Sequence, residues 1–331
     1  MTTTALRPAS NTTSATADVA VSTRGLRKKF GSFEAVAGID LTVYRGEIFG
    51  VLGPNGAGKT TMLNMLATLL PITEGSGEIF GYDVAKQSHQ VRQLLGLTGQ
   101  YASVDESLTA TENLRMFARL LGFSRSEART RTDELLTEFS LQDAARKPIS
   151  QFSGGMRRRL DLAVSLITRP PLIFLDEPTT GLDPRTRGQM WDTIRNLVKD
   201  GATVLLTTQY LEEADYLADR IAVIDHGKVV AEGTPDDLKT SVGESSLALS
   251  LESSADAERA AAALQKAADR EPVFSDDLKH ITLALSNANQ SADVLIALRE
   301  AGISIASVAV QKPTLDEAFL TLTGEKAEDS K

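Results

Sequence analysis

The chain has no cysteine in its 331 residues, which excludes disulfides and thiolate-held metals and fits a reducing compartment. It also lacks any apolar run near the ~18 residues that a membrane helix needs. The best candidate, Met62 to Ile72, is interrupted by Asn64, Thr68 and Pro71. Residues 1–18, rich in Thr, Ser and Ala, have neither the basic start nor the apolar centre of a signal peptide, and read as a disordered tail. Nor is there an excess of basic charge: the net charge is −9, so no nucleic-acid partner is implied. Two local basic runs, Arg24 to Lys29 and Arg157 to Arg159, read as solvated faces. What remains, 42% hydrophobic and 24% charged residues, is ordinary for a globular chain, and the length suits one large domain with a small one.

Strand-like apolar runs alternate with helical stretches from Val19 to Gly233. Glu47 to Leu52 reads as a buried strand and Lys59 to Leu70 as the helix after it. Thr109 with Glu112 forms a capping-box pattern opening a helix over Ala110 to Leu121. Pro171 to Leu175 and Ala202 to Thr207 read as further buried strands. Such alternation predicts an α/β fold with a mostly parallel sheet covered on both faces. Thr234-Pro235-Asp236-Asp237 has the form of a helix start. After Ser241 the composition shifts, and 242–246 reads as a linker. Beyond it the pattern predicts strand 247–251, helix 254–269, strand 272–275, strand 280–286, helix 291–301, strand 303–310 and helix 314–322. That order predicts a small α+β ferredoxin-like domain over 246–323, with a tail at 324–331. It carries no catalytic constellation, so a stabilising or assembly role is its plain reading.

The chemistry is concentrated earlier. Gly53-Pro54-Asn55-Gly56-Ala57-Gly58-Lys59-Thr60, followed by Thr61, is a GxxxxGK[ST] phosphate loop between a strand and a helix. Its glycines let the backbone wrap phosphates, and the helix start offers unsatisfied amides to the same oxygens. Lys59 would neutralise the β- and γ-phosphates of a nucleotide, and the Thr60 hydroxyl would coordinate Mg²⁺. Asp176, ending a strand, would reach that Mg²⁺ through its waters. Glu177 would polarise the attacking water as general base. Adjacent carboxylates at a strand end also occur simply as a polar exit from the core.

With Ser153-Gly154-Gly155-Met156 and Leu175-Asp176-Glu177-Pro178 following in order, residues 19–235 resemble the ATP-binding subunits of the ABC transporter superfamily. The resemblance implies a P-loop NTPase domain of ABC type over 19–241, a mixed sheet core with a helical subdomain at about 101–165. It implies ATP and Mg²⁺ as cofactors and ATP hydrolysis as the activity. It further implies an aromatic A-loop ring at Phe30 stacking on adenine, although Phe30 is equally readable as a core residue. Gln100 would be the Q-loop contact to Mg²⁺, Ser153, Gly154 and Gly155 the signature motif, and Asp183 part of the D-loop. In this family the signature completes the partner subunit's site, so two copies sandwich two ATP molecules head to tail as a homodimer.

The chain departs from the commonest pattern at Phe152 and Met156, and more consequentially at Gln209, where the family's switch histidine usually stands. The three histidines, His89, His226 and His280, fall elsewhere. A glutamine amide donates and accepts hydrogen bonds but carries no proton, so slower hydrolysis is expected, with Glu177 as base. Gln209, Leu211 to Asp215 and Pro313 to Phe319 resemble the narrower group of daunorubicin/doxorubicin-resistance type exporter ATPases. This implies a separately encoded membrane permease, a peripheral place on the cytoplasmic face of the cell membrane, and efflux of a hydrophobic, antibiotic-like compound. The alternative is a soluble nucleotide-gated module with little turnover. On the export reading, the segment from Ala110 to Leu141 would carry the permease groove, although Leu114, Phe117 and Leu121 are equally readable as internal core.

Overall fold

A computed structural model describes residues 19–99, 104–242, 245–268, 270–275, 277–285, 289–311 and 313–324. The predicted tail at 1–18, most of that at 324–331, and Gln100 lie outside the described residues. Two compact units divide between Glu232 and Gly233.

The first unit opens with β1 (Val19–Phe30) and β2 (Phe33–Tyr44), then β3 (Ile48–Leu52), α1 (Lys59–Leu66), β4 (Glu74–Ile79), β5 (Tyr82–Asp83), α2 (Ser88–Gln93) and β6 (Leu95–Thr98). Helices α3 (Ala110–Leu120), α4 (Arg125–Glu138) and α5 (Gly154–Ser165) follow. The unit continues with β7 (Leu172–Asp176), α6 (Pro184–Lys199), β8 (Thr203–Thr208), α7 (Leu211–Leu217), β9 (Arg220–Asp225) and β10 (Lys228–Gly233), whose last residue begins the second unit.

Among the described residues, one six-stranded sheet has the order β10-β9-β3-β8-β7-β6 and a separate four-stranded sheet the order β2-β1-β4-β5. Strands β6, β7, β8, β3 and β9 run parallel. Strands β3, β7 and β8 are buried at every position, as expected of central strands covered on both faces. Their register sets Leu52 beside Thr208 and Asp176 beside Thr207. The chain therefore leaves all three strands at the same carboxyl edge, where open α/β sheets bind their ligands.

Helix α1 ends at Leu66 rather than Leu70, because Thr68 turns into the left-handed region at φ 64° and Pro71 follows. The Thr109–Glu112 capping box opens α3, and an equivalent Ser124–Glu127 box opens α4. Leu114, Leu135, Phe139 and Leu160 bury the helical segment against Ile194 of α6 and the sheet. Leu114 is thus core, whereas Leu120 and Leu121 are 74% and 52% exposed.

The second unit continues with α8 (Pro235–Val242), β11 (Ser246–Leu251), α9 (Ala257–Ala268), β12 (Val273–Phe274), β13 (His280–Ala284), α10 (Gln290–Glu300), β14 (Ile305–Gln311) and α11 (Leu315–Thr323). Its sheet is antiparallel, in the order β12-β13-β11-β14. Leu247, Leu249 and Leu251 alternate inward beneath Leu264 and Leu298 of the two helices, giving this unit its own core. Thr234 and Asp237 cap α8 reciprocally, and Thr314 with Glu317 does the same for α11.

Candidate active site

The phosphate loop leaves β3 and closes into α1 on two glycine requirements. Gly58 stands at φ 104°, and a Cβ there would lie 2.3 Å from the Ala35 carbonyl oxygen. A Cβ on Gly53 would meet the Ile224 carbonyl at the same distance. Neither position accepts a side chain. Lys59, only 4% exposed, folds back so that Nζ donates to the Gly53 carbonyl at 2.8 Å and the Pro54 carbonyl at 3.0 Å. Burial lowers its pKa, and the carboxylates of Glu177 and Asp176 work against that shift. The Ala57 N–H donates to Pro54 O at 3.2 Å, tightening the loop.

A cleft of about 310 Å³ opens above this loop, lined by Phe30, Phe33, Asn55, Lys59, Thr61 and Glu177 among others. Phe30 is half exposed there, not core, with the Lys28 ammonium 5.2 Å from its ring centre. Phe33, across the Gly31-Ser32 turn, supplies a second exposed ring that the sequence pattern did not single out. Two aromatic faces beside a glycine-lined anion cradle fit a base at one end and phosphates at the other.

Thr60 Oγ1 donates to Asp176 Oδ1 at 3.0 Å, and Thr207 Oγ1 donates to the same oxygen at 2.6 Å. The hydroxyl and carboxylate are hard oxygen donors of the type Mg²⁺ accepts beside phosphates. Glu177 stands at φ 47°, a left-handed conformation that costs a non-glycine residue roughly 1–3 kcal/mol and clusters at functional sites. Its N–H is held by the Thr207 carbonyl at 3.0 Å, Thr180 Oγ1 donates to Oε2 at 3.2 Å, and Oε1 lies 3.9 Å from Lys59 Nζ. Gln209 follows β8 directly and is partly buried beside this segment.

The signature lies apart. Ser153 caps α5 by accepting from the Met156 N–H at 3.3 Å, and none of Ser153, Gly154, Gly155 or Asp183 lines the cleft of its own chain. Gly154 is open, with nothing near a built Cβ, whereas a Cβ on Gly155 would strike Thr186 Cγ2 at 2.2 Å. Gly154 thus offers the free helix start, and Gly155 permits close packing on α6. Asp183 caps α6, accepting from the Thr186 N–H and hydroxyl at 3.0 and 2.6 Å.

Two groups that sequence patterning passed over complete the surroundings. The run at 157–159 is not a solvated face: Arg158 turns inward to four carbonyls, and Arg159 donates to Phe139 O at 3.2 Å. Glu213 is fully buried, and its Oε1 accepts from Thr179 Oγ1 at 2.7 Å and Trp191 Nε1 at 3.1 Å. It thereby ties the segment after Glu177 to the helix after Gln209.

Burial holds the Glu213 carboxyl above its ordinary value of 4.5, against the hydrogen bonds that lower it. Between those two values the folded chain keeps a proton that the unfolded chain has lost, so stability is full at low pH and falls as pH rises through the window. Glu213→Gln cannot titrate. The wild-type minus variant difference in unfolding free energy should decline above pH 4.5, by up to about 1.4 kcal/mol per pH unit. Denaturant titrations at a series of pH values measure it; a pH-independent difference would show that the carboxyl titrates alike folded and unfolded.

Residues 36–180 match the ABC transporter family, and residues 233–323 match the ATP-binding protein DrrA1-3-like C-terminal domain. The chain is 49% identical over 314 residues, 94% of each chain, to a daunorubicin/doxorubicin resistance ATP-binding protein of Streptomyces peucetius. It is 35% identical to the linearmycin resistance ATP-binding protein of Bacillus subtilis, covering 92% of this chain and 98% of that one. Among solved structures, an ATP-binding cassette determined as a dimer in a post-hydrolysis state with ADP and Pi is 29% identical. That match has a TM-score of 0.59 over 65% of this chain and 98% of the other.

Proposed function

The chain belongs to the ABC transporter ATP-binding proteins of the daunorubicin/doxorubicin-resistance type, and we propose that it powers efflux of a hydrophobic, antibiotic-like compound through a separate membrane permease. As an ABC-type ATPase it couples ATP hydrolysis to transport. No helix among the described residues is long and apolar enough to cross a membrane, and we assign the path for the compound to a partner. We assign the chain to the cytoplasmic face of the membrane as a peripheral subunit. The relatives' names support the compound class: resistance to daunorubicin/doxorubicin in one, to linearmycin in another.

The observation that carries the mechanism is the separation within one chain of Lys59, Thr60 and Glu177, gathered at the cleft with Asp176 bonded to Thr60, from Ser153 and Gly154, which are open elsewhere. Two copies arranged head to tail would bring each signature onto the other's nucleotide. Phe30 and Phe33 then hold the base, while the amides of 56–61 and Lys59 hold the phosphates. Thr60 and Asp176 would hold Mg²⁺, to which we assign Gln100, outside the described residues, as a further ligand; the ion would supply charge neutralisation to the phosphates. Glu177 accepts the proton of the attacking water, and Gln209 orients the γ-phosphate through its amide. We assign this work to residues 19–241, with the helical subdomain at about 101–165. The β12-β13-β11-β14 order supports a ferredoxin-like reading of the accessory domain at 246–323.

The exposed pair Leu120 and Leu121, with Met116 one turn earlier, is the apolar end of α3 that we assign to the permease. ATPase rate and drug accumulation in inverted vesicles carrying the permease test this. A Leu120→Asp/Leu121→Asp chain should keep its permease-free turnover within about twofold, being remote from the cleft, and lose both permease response and accumulation. Undiminished accumulation would move the docking face elsewhere; a wild-type chain indifferent to the permease would overturn the export reading.

A further inference from the structure

Arg158 lies on α5, five positions after Ser153; its guanidinium donates to four main-chain carbonyls, and the carboxylates of Asp161, Asp176, Glu213 and Glu177 favour its charge from nearby. Nε donates to Pro178 O at 2.9 Å, and Nη2 donates to Asp176 O at 2.8 Å and Glu177 O at 3.1 Å. Nη1 donates to Gly99 O at 2.5 Å, at the end of β6. Three consecutive carbonyls therefore converge on one cation, which a regular strand, with carbonyls alternating in direction, cannot provide. Left-handed Glu177 in the middle of the three makes that convergence possible. The carbonyl dipoles so gathered repel one another unless a positive charge faces them. The planar five-donor fork of arginine meets this need, whereas the three donors of lysine do so only in part.

We propose that Arg158 is a positioning residue: by binding the carbonyls of residues 176–178 it holds the strained turn that aims the Glu177 carboxylate at the attacking water of its own chain's site. The proposal rests on Glu177 as general base, and it assigns Arg158 no contact with nucleotide. It differs from a general packing role in being confined to the chain whose Glu177 is at work.

Steady-state ATPase assays of the full chain, with separate measurement of ATP affinity, test it. Arg158→Ala should lower kcat about 10- to 100-fold, the scale of a misplaced catalytic group, with KM and ATP affinity within about twofold. Arg158→Lys should recover part of kcat. Arg158→Ala with kcat within twofold of wild type overturns the proposal, as does a loss shared equally by kcat and ATP affinity. Mixed dimers sharpen the result. One chain carries Gly154→Asp and supplies the working phosphate loop and Glu177; the other carries Lys59→Ala and supplies the working signature. Arg158→Ala should lower the mixed dimer's activity by the same factor of about 10 to 100 when placed in the first chain and spare it in the second. Equal loss from both placements means that Arg158 supports the fold at large and overturns the proposal. Glu177→Gln in parallel separates the two readings, since normal turnover there removes the base assignment itself, whatever Arg158 does.

Discussion

Replacing Glu177 with Gln should lower ATP turnover about 10²- to 10⁴-fold, the usual share of a general base, while leaving ATP binding intact or tighter. The substitution preserves shape and removes one negative charge. That charge lies 3.9 Å from Lys59 Nζ, on the margin of the cleft a triphosphate would enter. Its removal frees the buried ammonium for the nucleotide and takes away a repulsion, so affinity moves opposite to rate. The backbone contacts that hold residue 177, from Thr207 and Arg158, do not involve the side chain, so the turn survives. Single-turnover release of phosphate gives the rate, equilibrium binding the affinity, and sizing with ATP the dimer, which should accumulate because closure outlasts hydrolysis. Turnover within threefold of wild type would remove Glu177 from the base role.

Mixing two inactive chains should restore activity. Lys59→Ala removes the buried ammonium and its bonds to the loop carbonyls of Gly53 and Pro54. Gly154→Asp places a carboxylate at the open helix start where a phosphate would sit, and nothing near a built Cβ obstructs it. Each homodimer then has two damaged sites. In a mixed dimer one site takes both lesions, and the other joins the intact loop of one chain to the intact signature of its partner. Random exchange makes half the dimers mixed, so an equimolar mixture should reach about a quarter of wild-type activity, given a two-fold head-to-tail arrangement and independent sites. No recovery from verified mixed dimers would mean that each signature serves its own chain, and the composite site would have to be abandoned.

Where local rules act alone, the sequence was sufficient. The Thr109–Glu112 capping box, the helix start at Thr234 and the strand–glycine loop–helix passage at 48–66 stand where their residues place them. The strand and helix order after Ser246 follows its alternating and 3.6-residue patterns. Lys59 and Thr60 were legible because a phosphate loop is a short contiguous string, and Asp176 because it ends a buried apolar strand. The helix that stops at Leu66 was not, since a left-handed Thr68 leaves no mark in periodicity.

Tertiary structure decided what depends on distant partners. Arg158 reads as one of three exposed basics until Gly99 and residues 176–178 are brought to it. Glu213 is one acid among three from Leu211 to Asp215, with nothing to set it apart, until Thr179 and Trp191 surround it. Gly155 looks equivalent to Gly154 until Thr186 arrives, and Phe33 looks incidental until the β1–β2 turn sets it over the loop of 53–60. In each case the residue's character is fixed by an electric field or a steric limit that another part of the chain creates. A side chain's charge and size are written in the sequence; the medium it must satisfy exists only once the chain has folded.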